Sequence, residues 1–239
     1  MPAGRFATTR WTCVLAARDG TEGGSRAALE TLCAAYWFPL YAFVRRSGFS
    51  PEDAADLTQS YFARFLEKGV LSEVQPQAGR FRSFLLATMR HFLANEWDRR
   101  RARKRAGDFD ALSLDLAAAE GRFAAEALVE RTPEREYERR WALQIVERAL
   151  EGLAVEARAA PRPERFESLK AFLLEHAERG AYSRAAQALA ISEPALRVAV
   201  HRLRRRFAEL LRAEIADTVV DPADTDAELR FLLAALRTS

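Results

Sequence analysis

The chain has 239 residues, of which 49% are hydrophobic and 30% are charged, with a formal net charge of +3. This length suffices for two small domains that each have a core, and we expect two. No apolar run approaches the ~18 to 20 residues that span a bilayer, and the N-terminal MPAGRFATTRW lacks the apolar segment of a secretory signal. Cys13 and Cys33 form no CxxC pair. These features exclude a membrane-spanning class and predict a soluble protein of the cytoplasm.

Charge is unevenly distributed along the chain. Residues 80–105 carry nine basic and two acidic side chains, whereas residues 108–138 carry nine acidic and three basic ones. Basic segments separated by an acidic connector favour a nucleic-acid partner over a membrane surface.

The first predicted helices are amphipathic. Residues 26–46 place apolar side chains at three-four spacing, with Pro39 positioned to bend or break the helix. The string SPED then supplies an N-cap at Ser50 and a proline in the first turn, which predicts a second helix from Pro51 to about Gly69. A third begins near Phe81 and runs into RRRARKR.

Six of the seven residues 99–105 are basic, which indicates a phosphate-contacting helix end. The helix dipole alone favours such cations by roughly 0.3–1 kcal/mol each, which accounts for one or two of them. Residues 106–133, alanine-rich and acidic, are predicted to be a linker.

Helical periodicity returns at residues 134–153, where Trp141 and Ile145 are expected to face the core of a C-terminal domain. Another helix is predicted at 166–179, and a short amphipathic helix follows the acidic stretch after Ile215. No segment alternates like a strand, so the predicted fold class is all-α, with two small helical domains joined by the acidic linker.

Residues 182–211, YSRAAQALAISEPALRVAVHRLRRRFAELL, predict a helix-turn-helix. Ser183 is the expected cap of its first helix, Ile191 fills the joint and Ser192 caps the second helix. Outside the apolar stripe, the second helix carries a set of basic side chains, namely Arg197, His201, Arg202, Arg204, Arg205 and Arg206. A major groove accepts such a helix, so we expect DNA contact; the alternative is a solvated basic face.

With both halves considered, the chain resembles bacterial RNA polymerase sigma factors of the extracytoplasmic-function type. The N-terminal resemblance is carried by EDAADLTQSYFARFLEKG and GRFRSFLLATMRHFLANEWDRRRARKR, and the C-terminal one by YSRAAQALAIS and HRLRRRFAELL. It implies a lead-in (1–25), a polymerase-binding and promoter-melting domain (26–105), the linker (106–133), a promoter-binding helix-turn-helix domain (134–215) and an extension (216–239).

The resemblance also implies site residues and partners. The polymerase clamp would be bound by Asp53, Asp56, Gln59 and Arg64. The melted promoter element would be approached by Arg80, Arg82, Arg90, His91, Asn95, Trp97, Arg99, Arg100 and Arg103. The upstream element would be bound by Arg197, His201, Arg202, Arg204 and Arg205. Trp97 would stack on an unpaired base, and the loop 69–79 would capture an extruded one. The implied partners are core RNA polymerase and promoter DNA, and an anti-sigma factor is a further one that the resemblance allows for.

The chain departs from the family pattern at three positions. The family commonly has asparagine and then aspartate where this chain has His91 and Asn95, and glycine in the joint where it has Ala190. If the joint needs a positive φ, Ala190 costs on the order of 1 kcal/mol. For the acidic tail, we weigh two arrangements: folding onto the basic C-terminal domain to limit DNA access, or completing that domain's core.

Three other functions compete with this interpretation. An enzyme is disfavoured because His91, His176 and His201 fit no metal-ligand spacing, and no phosphate loop or nucleophile elbow is present. We therefore expect no catalytic residue, metal, cofactor or small-molecule substrate. A stand-alone helix-turn-helix regulator would explain residues 182–211 but not the basic, aromatic helix upstream. A degenerate sigma relative that only binds proteins is opposed by the arginines in both basic helices.

Overall fold

The chain was analysed as a computed structural model that describes residues 35–67, 80–103, 121, 123, 131–174, 180–219 and 221–237, with the side chains of 66, 67, 98–103 and 174 left out. In these residues helices are the only regular secondary structure and no strand is present, which confirms the all-α class. The helices are α1 (35–46), α2 (Pro51–Glu67), α3 (Phe81–Arg103), α4 (Pro133–Arg158), α5 (Arg165–Leu174), α6 (Ala181–Ala188), α7 (Glu193–Ala216) and α8 (Thr225–Arg237), with a 3-10 turn (Pro222–Asp224) before α8.

Local capping signals fix several of these helix starts. The hydroxyl of Ser50 accepts a hydrogen bond from the Asp53 amide at 3.1 Å, and that of Ser192 accepts one from the Ala195 amide at 3.3 Å. Both predicted caps are confirmed. The predicted cap at Ser183 is wrong, because α6 begins at Ala181 with Gly180 as its N-cap. Gly180 has a φ of 83°, a conformation that glycine adopts without steric cost.

The chain divides into two compact units, of which unit 1 comprises Met1–Gln144 and Ile215–Ser239. Its largest fully buried side chains include Leu40, Tyr41, Leu85, Met89, Tyr137, Trp141 and Leu232. The hydroxyls of Tyr61 and Thr88 lie 2.7 Å apart and join α2 to α3. Tyr137 donates to the Arg82 carbonyl at 2.9 Å, and burial raises its pKa well above the ordinary value, so the hydroxyl stays a donor.

Unit 1 contains the tail that the sequence associated with the C-terminal domain. Trp141 packs on Phe231 of α8, with ring centroids 6.2 Å apart, and the Glu228 carboxylate is bound by arginines of the α3 region. The tail therefore does not complete the core of the C-terminal domain, and the expected direction of Trp141 is wrong. The physical reason is that the buried Glu228 finds its counter-charges in unit 1. The other expected arrangement, in which the tail limits DNA access, stays a prediction.

Unit 2 comprises Ile145–Glu214 and is built around the α6–α7 pair. Its buried cluster consists of Phe172, Ala186, Leu196 and Val200, with Tyr182, Leu189 and Ile191 packed against it. Gly152 of α4 leaves room for Leu210 of α7, because a Cβ there would already touch the leucine at 3.4 Å. The small residue thus permits close packing of these two helices.

Ala190, in the joint between α6 and α7, has a φ of 51°. We expect Ala190→Gly to raise the free energy of unfolding of unit 2 by about 1 kcal/mol, because glycine relieves the left-handed strain. Ala208→Gly, at an exposed site within α7, is the matched control and should lower it by about 1 kcal/mol. Hydrogen exchange of the α6 and α7 amides measures both changes, and equal signs for the two variants would contradict the strain at Ala190.

Several predictions fall outside the described residues: the lead-in 1–25, the start of the first helix, the loop 69–79, the end of the helix predicted at 166–179 and nearly all of the linker 106–133. Within the described residues, no helix combines the length and the apolar character needed to cross a membrane.

Candidate nucleic-acid interface

The joint between α6 and α7 is tied to α6 by backbone hydrogen bonds. The Leu189 amide donates to the Ala185 carbonyl, and the Ile191 amide donates to the Ala186 carbonyl, each at 3.0 Å. Ile191 is half-buried against the unit 2 cluster. The direction of α7 is therefore fixed relative to α6 by both hydrogen bonds and packing.

Helix α7 has sharply different sides. Leu196 is 0% exposed and Val200 2% exposed, whereas Val198 between them is 50% exposed. The residues at helical spacing from Val198 are also exposed, and together they form what we call the α7 outer face: Val198, His201, Arg202 and Arg205. Because the buried stripe holds α7 in place, this face points away from the unit 2 core.

On this face, Arg202 and His201 form no ion pair with any residue that the structure describes. Arg205 is paired with Glu209 at 3.2 Å one turn away, in an exposed contact that water screens. An exposed pair of this kind is worth ~1 kcal/mol or less, so a phosphate can compete for Arg205. The outer face therefore presents donors to an anion.

Arg197 flanks the α7 outer face at the start of the helix. Its guanidinium donates to Glu193 at 2.7 Å and lies over the Tyr182 ring, 4.5 Å from the centroid. The side chain still remains 60% exposed. Tyr182 and Glu193 thus orient Arg197 while its outer edge stays open to a ligand.

Arg204 and Arg206 have structural partners instead. Arg204 donates twice to the Phe172 carbonyl, at 2.7 and 3.1 Å, and so satisfies a backbone acceptor near the end of α5. Arg204 is still exposed beside this contact, so the DNA contact predicted for it stays a prediction. Arg206 donates to Glu156 of α4 at 2.6 Å and to Glu209 at 2.9 Å, and the hydrogen bond from Arg206 lowers the pKa of Glu156. These two arginines brace α7 against its neighbours.

In unit 1, the residues expected to approach melted DNA occupy different surroundings. His91 and Asn95 are exposed and one turn apart on α3. Arg90 is half-exposed and paired with Glu134. Trp97, which shares the side of α3 that carries Arg90, is 51% exposed and meets Phe49 edge-on at 5.8 Å. The side chains of Arg99, Arg100 and Arg103 lie outside the described part of the structure.

Arg82 is buried, and the DNA contact predicted for it does not fit its surroundings. Its Nε donates to Glu228 at 2.5 Å, and its guanidinium lies over the Phe231 ring, 3.6 Å from the centroid. Arg80 also binds Glu228, at 2.7 Å, but keeps about a third of its side chain exposed. Sequence inspection missed Glu228, because 146 residues separate it from Arg82 and no local pattern marks it.

The residues expected to bind the polymerase lie on α2. Asp53, Asp56 and Gln59 are all partly exposed. Arg64 is bound to Glu96 of α3 at 3.0 Å and lies 5.2 Å from the centroid of the Phe92 ring. The acidic and amide groups of α2 are thus partly accessible to solvent, whereas Arg64 takes part in α2–α3 packing.

In the part of the chain that is described, no group of three or more His, Cys, Asp or Glu side chains is arranged to hold a metal ion. Known protein families, curated proteins and solved structures were compared with the chain, and none matches it.

Proposed function

We propose that this chain is a sigma factor of the extracytoplasmic-function type, which binds core RNA polymerase, recognises promoter DNA and helps to open it. The observation that carries the proposal is the α7 outer face, where exposed Arg202, His201 and Arg205 lie on the second helix of a braced helix-turn-helix. Such a helix suits the major groove, where arginine binds guanine or phosphate. The proposal includes a cytoplasmic location, where polymerase and promoter DNA are found.

Trp97 supports the promoter-opening part of the proposal. The indole of Trp97 is half-exposed and contacts Phe49 edge-on, so it offers a surface on which an unpaired base can stack. Base stacking of this kind contributes ~1–3 kcal/mol per base, which is comparable with the few kcal/mol that unstacking a base costs. Strand opening would thus be driven by binding energy without nucleotide hydrolysis.

The alternative is a stand-alone helix-turn-helix regulator that does not bind polymerase. The burial of Arg82 by Glu228 favours it, because one of the arginines expected near melted DNA serves the interior of unit 1. Polymerase dependence distinguishes the two functions.

The decisive experiment is a reconstitution of transcription. Bacterial core RNA polymerase, this protein and fragmented genomic DNA of its source are combined, and the transcripts are sequenced. Start sites that require the protein are expected for a sigma factor. Salt-sensitive DNA binding with no initiation and no co-migration with polymerase would instead establish the stand-alone regulator.

Two variants separate promoter binding from promoter opening. Arg202→Ala should weaken promoter binding by about 1–3 kcal/mol for a base contact, or lower the salt slope by about 1 for a phosphate contact. Trp97→Ala should leave duplex binding intact and reduce open-complex formation, with a loss of ~1–3 kcal/mol in stacking. Arg230→Ala, at an exposed site on α8, is the control for charge removal. Equal effects of Arg202→Ala and Arg230→Ala would contradict a specific role for the outer face.

A further inference from the structure

One large apolar side chain lies at the N-terminal end of the basic α7 outer face. Val198 is 50% exposed, and only Trp97 and Leu233 are other large hydrophobic residues in the exposed class within the described chain. The neighbouring Leu196 and Val200 supply the buried stripe of α7, so the core does not require an apolar residue at position 198. Packing of the core therefore leaves Val198 available for a contact at the surface.

The neighbours of Val198 define what it can meet. His201, Arg202 and Arg205 follow it by three, four and seven residues, which places all four side chains along one line of the helix. Val198 is also the sixth residue of α7, and the N-terminal part of a recognition helix is the part that contacts base edges. An apolar group followed by donors one and two turns further along the helix suits a major groove, where base edges lie beside phosphates.

In the major groove, thymine is the base that presents an apolar group, its C5 methyl. Valine suits this contact because a β-branched side chain in a helix strongly prefers one rotamer, so little conformational entropy is lost on binding. We infer that Val198 reads the C5 methyl of a thymine in the duplex bound by unit 2 and so sets base preference at one position. This inference rests on the proposed DNA binding and names the base class that the outer face selects.

The test removes the methyl group without altering any hydrogen bond. The full-length protein selects the tightest duplex from a random-sequence library, and each thymine of that duplex is then replaced singly by uracil. Burial of a methyl-sized group corresponds to about a four-fold change in affinity, so uracil at one position should weaken binding by about four-fold. In the Val198→Ala protein the same replacement should have less than about a two-fold effect.

Three controls accompany this measurement. Arg202→Ala should weaken binding to the thymine and uracil duplexes equally, which leaves their ratio at the wild-type value. Replacing the critical base pair so that 5-methylcytosine supplies the methyl should restore part of the Val198-dependent affinity, whereas unmethylated cytosine should not. Thermal unfolding of Val198→Ala must match the wild type.

The outcomes distinguish this inference from the proposed function. If no uracil replacement weakens binding, or if the loss of affinity is the same in the Val198→Ala protein, the thymine contact is overturned. DNA binding itself is unaffected by either result. Failure to enrich any sequence above the random library overturns the thymine contact together with sequence-specific DNA binding.

Discussion

Glu228→Gln is expected to lower the free energy of unfolding of unit 1 by about 3–5 kcal/mol. The Glu228 side chain is 0% exposed and its two carboxylate oxygens bind Arg82 at 2.5 Å and Arg80 at 2.7 Å. Arg82 is itself only 5% exposed. A neutral amide would leave the buried Arg82 guanidinium facing the more distant and partly exposed Glu138 carboxylate at 3.8 Å, which costs far more than the loss of an exposed pair.

Tryptophan fluorescence during urea unfolding measures this effect in unit 1, because all four tryptophans precede residue 145. Glu134→Gln is the matched control, since Glu134 pairs with Arg90 in an exposed contact of the same unit. Its removal should cost less than ~1 kcal/mol. A Glu228→Gln variant no less stable than Glu134→Gln would contradict the buried ion pair.

A double variant tests the reason for the effect. Arg82→Met combined with Glu228→Leu removes the buried charges together and substitutes apolar side chains, so we expect it to recover much of the stability lost in Glu228→Gln. If the double variant were less stable than Glu228→Gln, loss of packing and not the unpaired charge would be the main cost. The result also concerns function, because it separates the structural role of Arg82 from any contact that Arg82 makes with DNA.

Leu196→Ala is the second substitution with a large expected effect, a loss of about 2–5 kcal/mol in unit 2. Leu196 is 0% exposed and belongs to the cluster that holds α6 against α7. Truncation removes buried methyl groups and leaves a cavity that the braced joint cannot fill by collapsing. Because the packing of α7 against α6 positions the α7 outer face, DNA affinity should fall together with the stability of unit 2.

Hydrogen exchange of the α6 and α7 amides measures the loss locally. Val198→Ala, two residues away on the exposed side of the same helix, removes two methyl groups as well but should change stability by less than about 0.5 kcal/mol. Protection factors that fall equally in both variants would contradict the assignment of Leu196 to the core and Val198 to the surface.

The two arginine-rich helices illustrate how differently similar residues are used. Arg202 is exposed on the α7 outer face, whereas Arg204, two residues later, is committed to the Phe172 carbonyl. In unit 1, Arg82 is enclosed by Glu228 and Phe231 while His91, further along α3, is exposed. A basic run therefore gives the approximate position of a nucleic-acid interface but not its individual contacts.

Local sequence alone determined the all-α class, the helix starts at Ser50 and Ser192, and the division of α7 into a buried stripe and a basic face. Caps and apolar periodicity act within a few residues, so each helix carries its own signal. Only the tertiary structure decided that Glu228 encloses Arg82, that Trp141 packs on α8 and that Ala190 takes a positive φ. Partner choice for a charge or a ring depends on which distant helices pack together, and no local pattern encodes that choice.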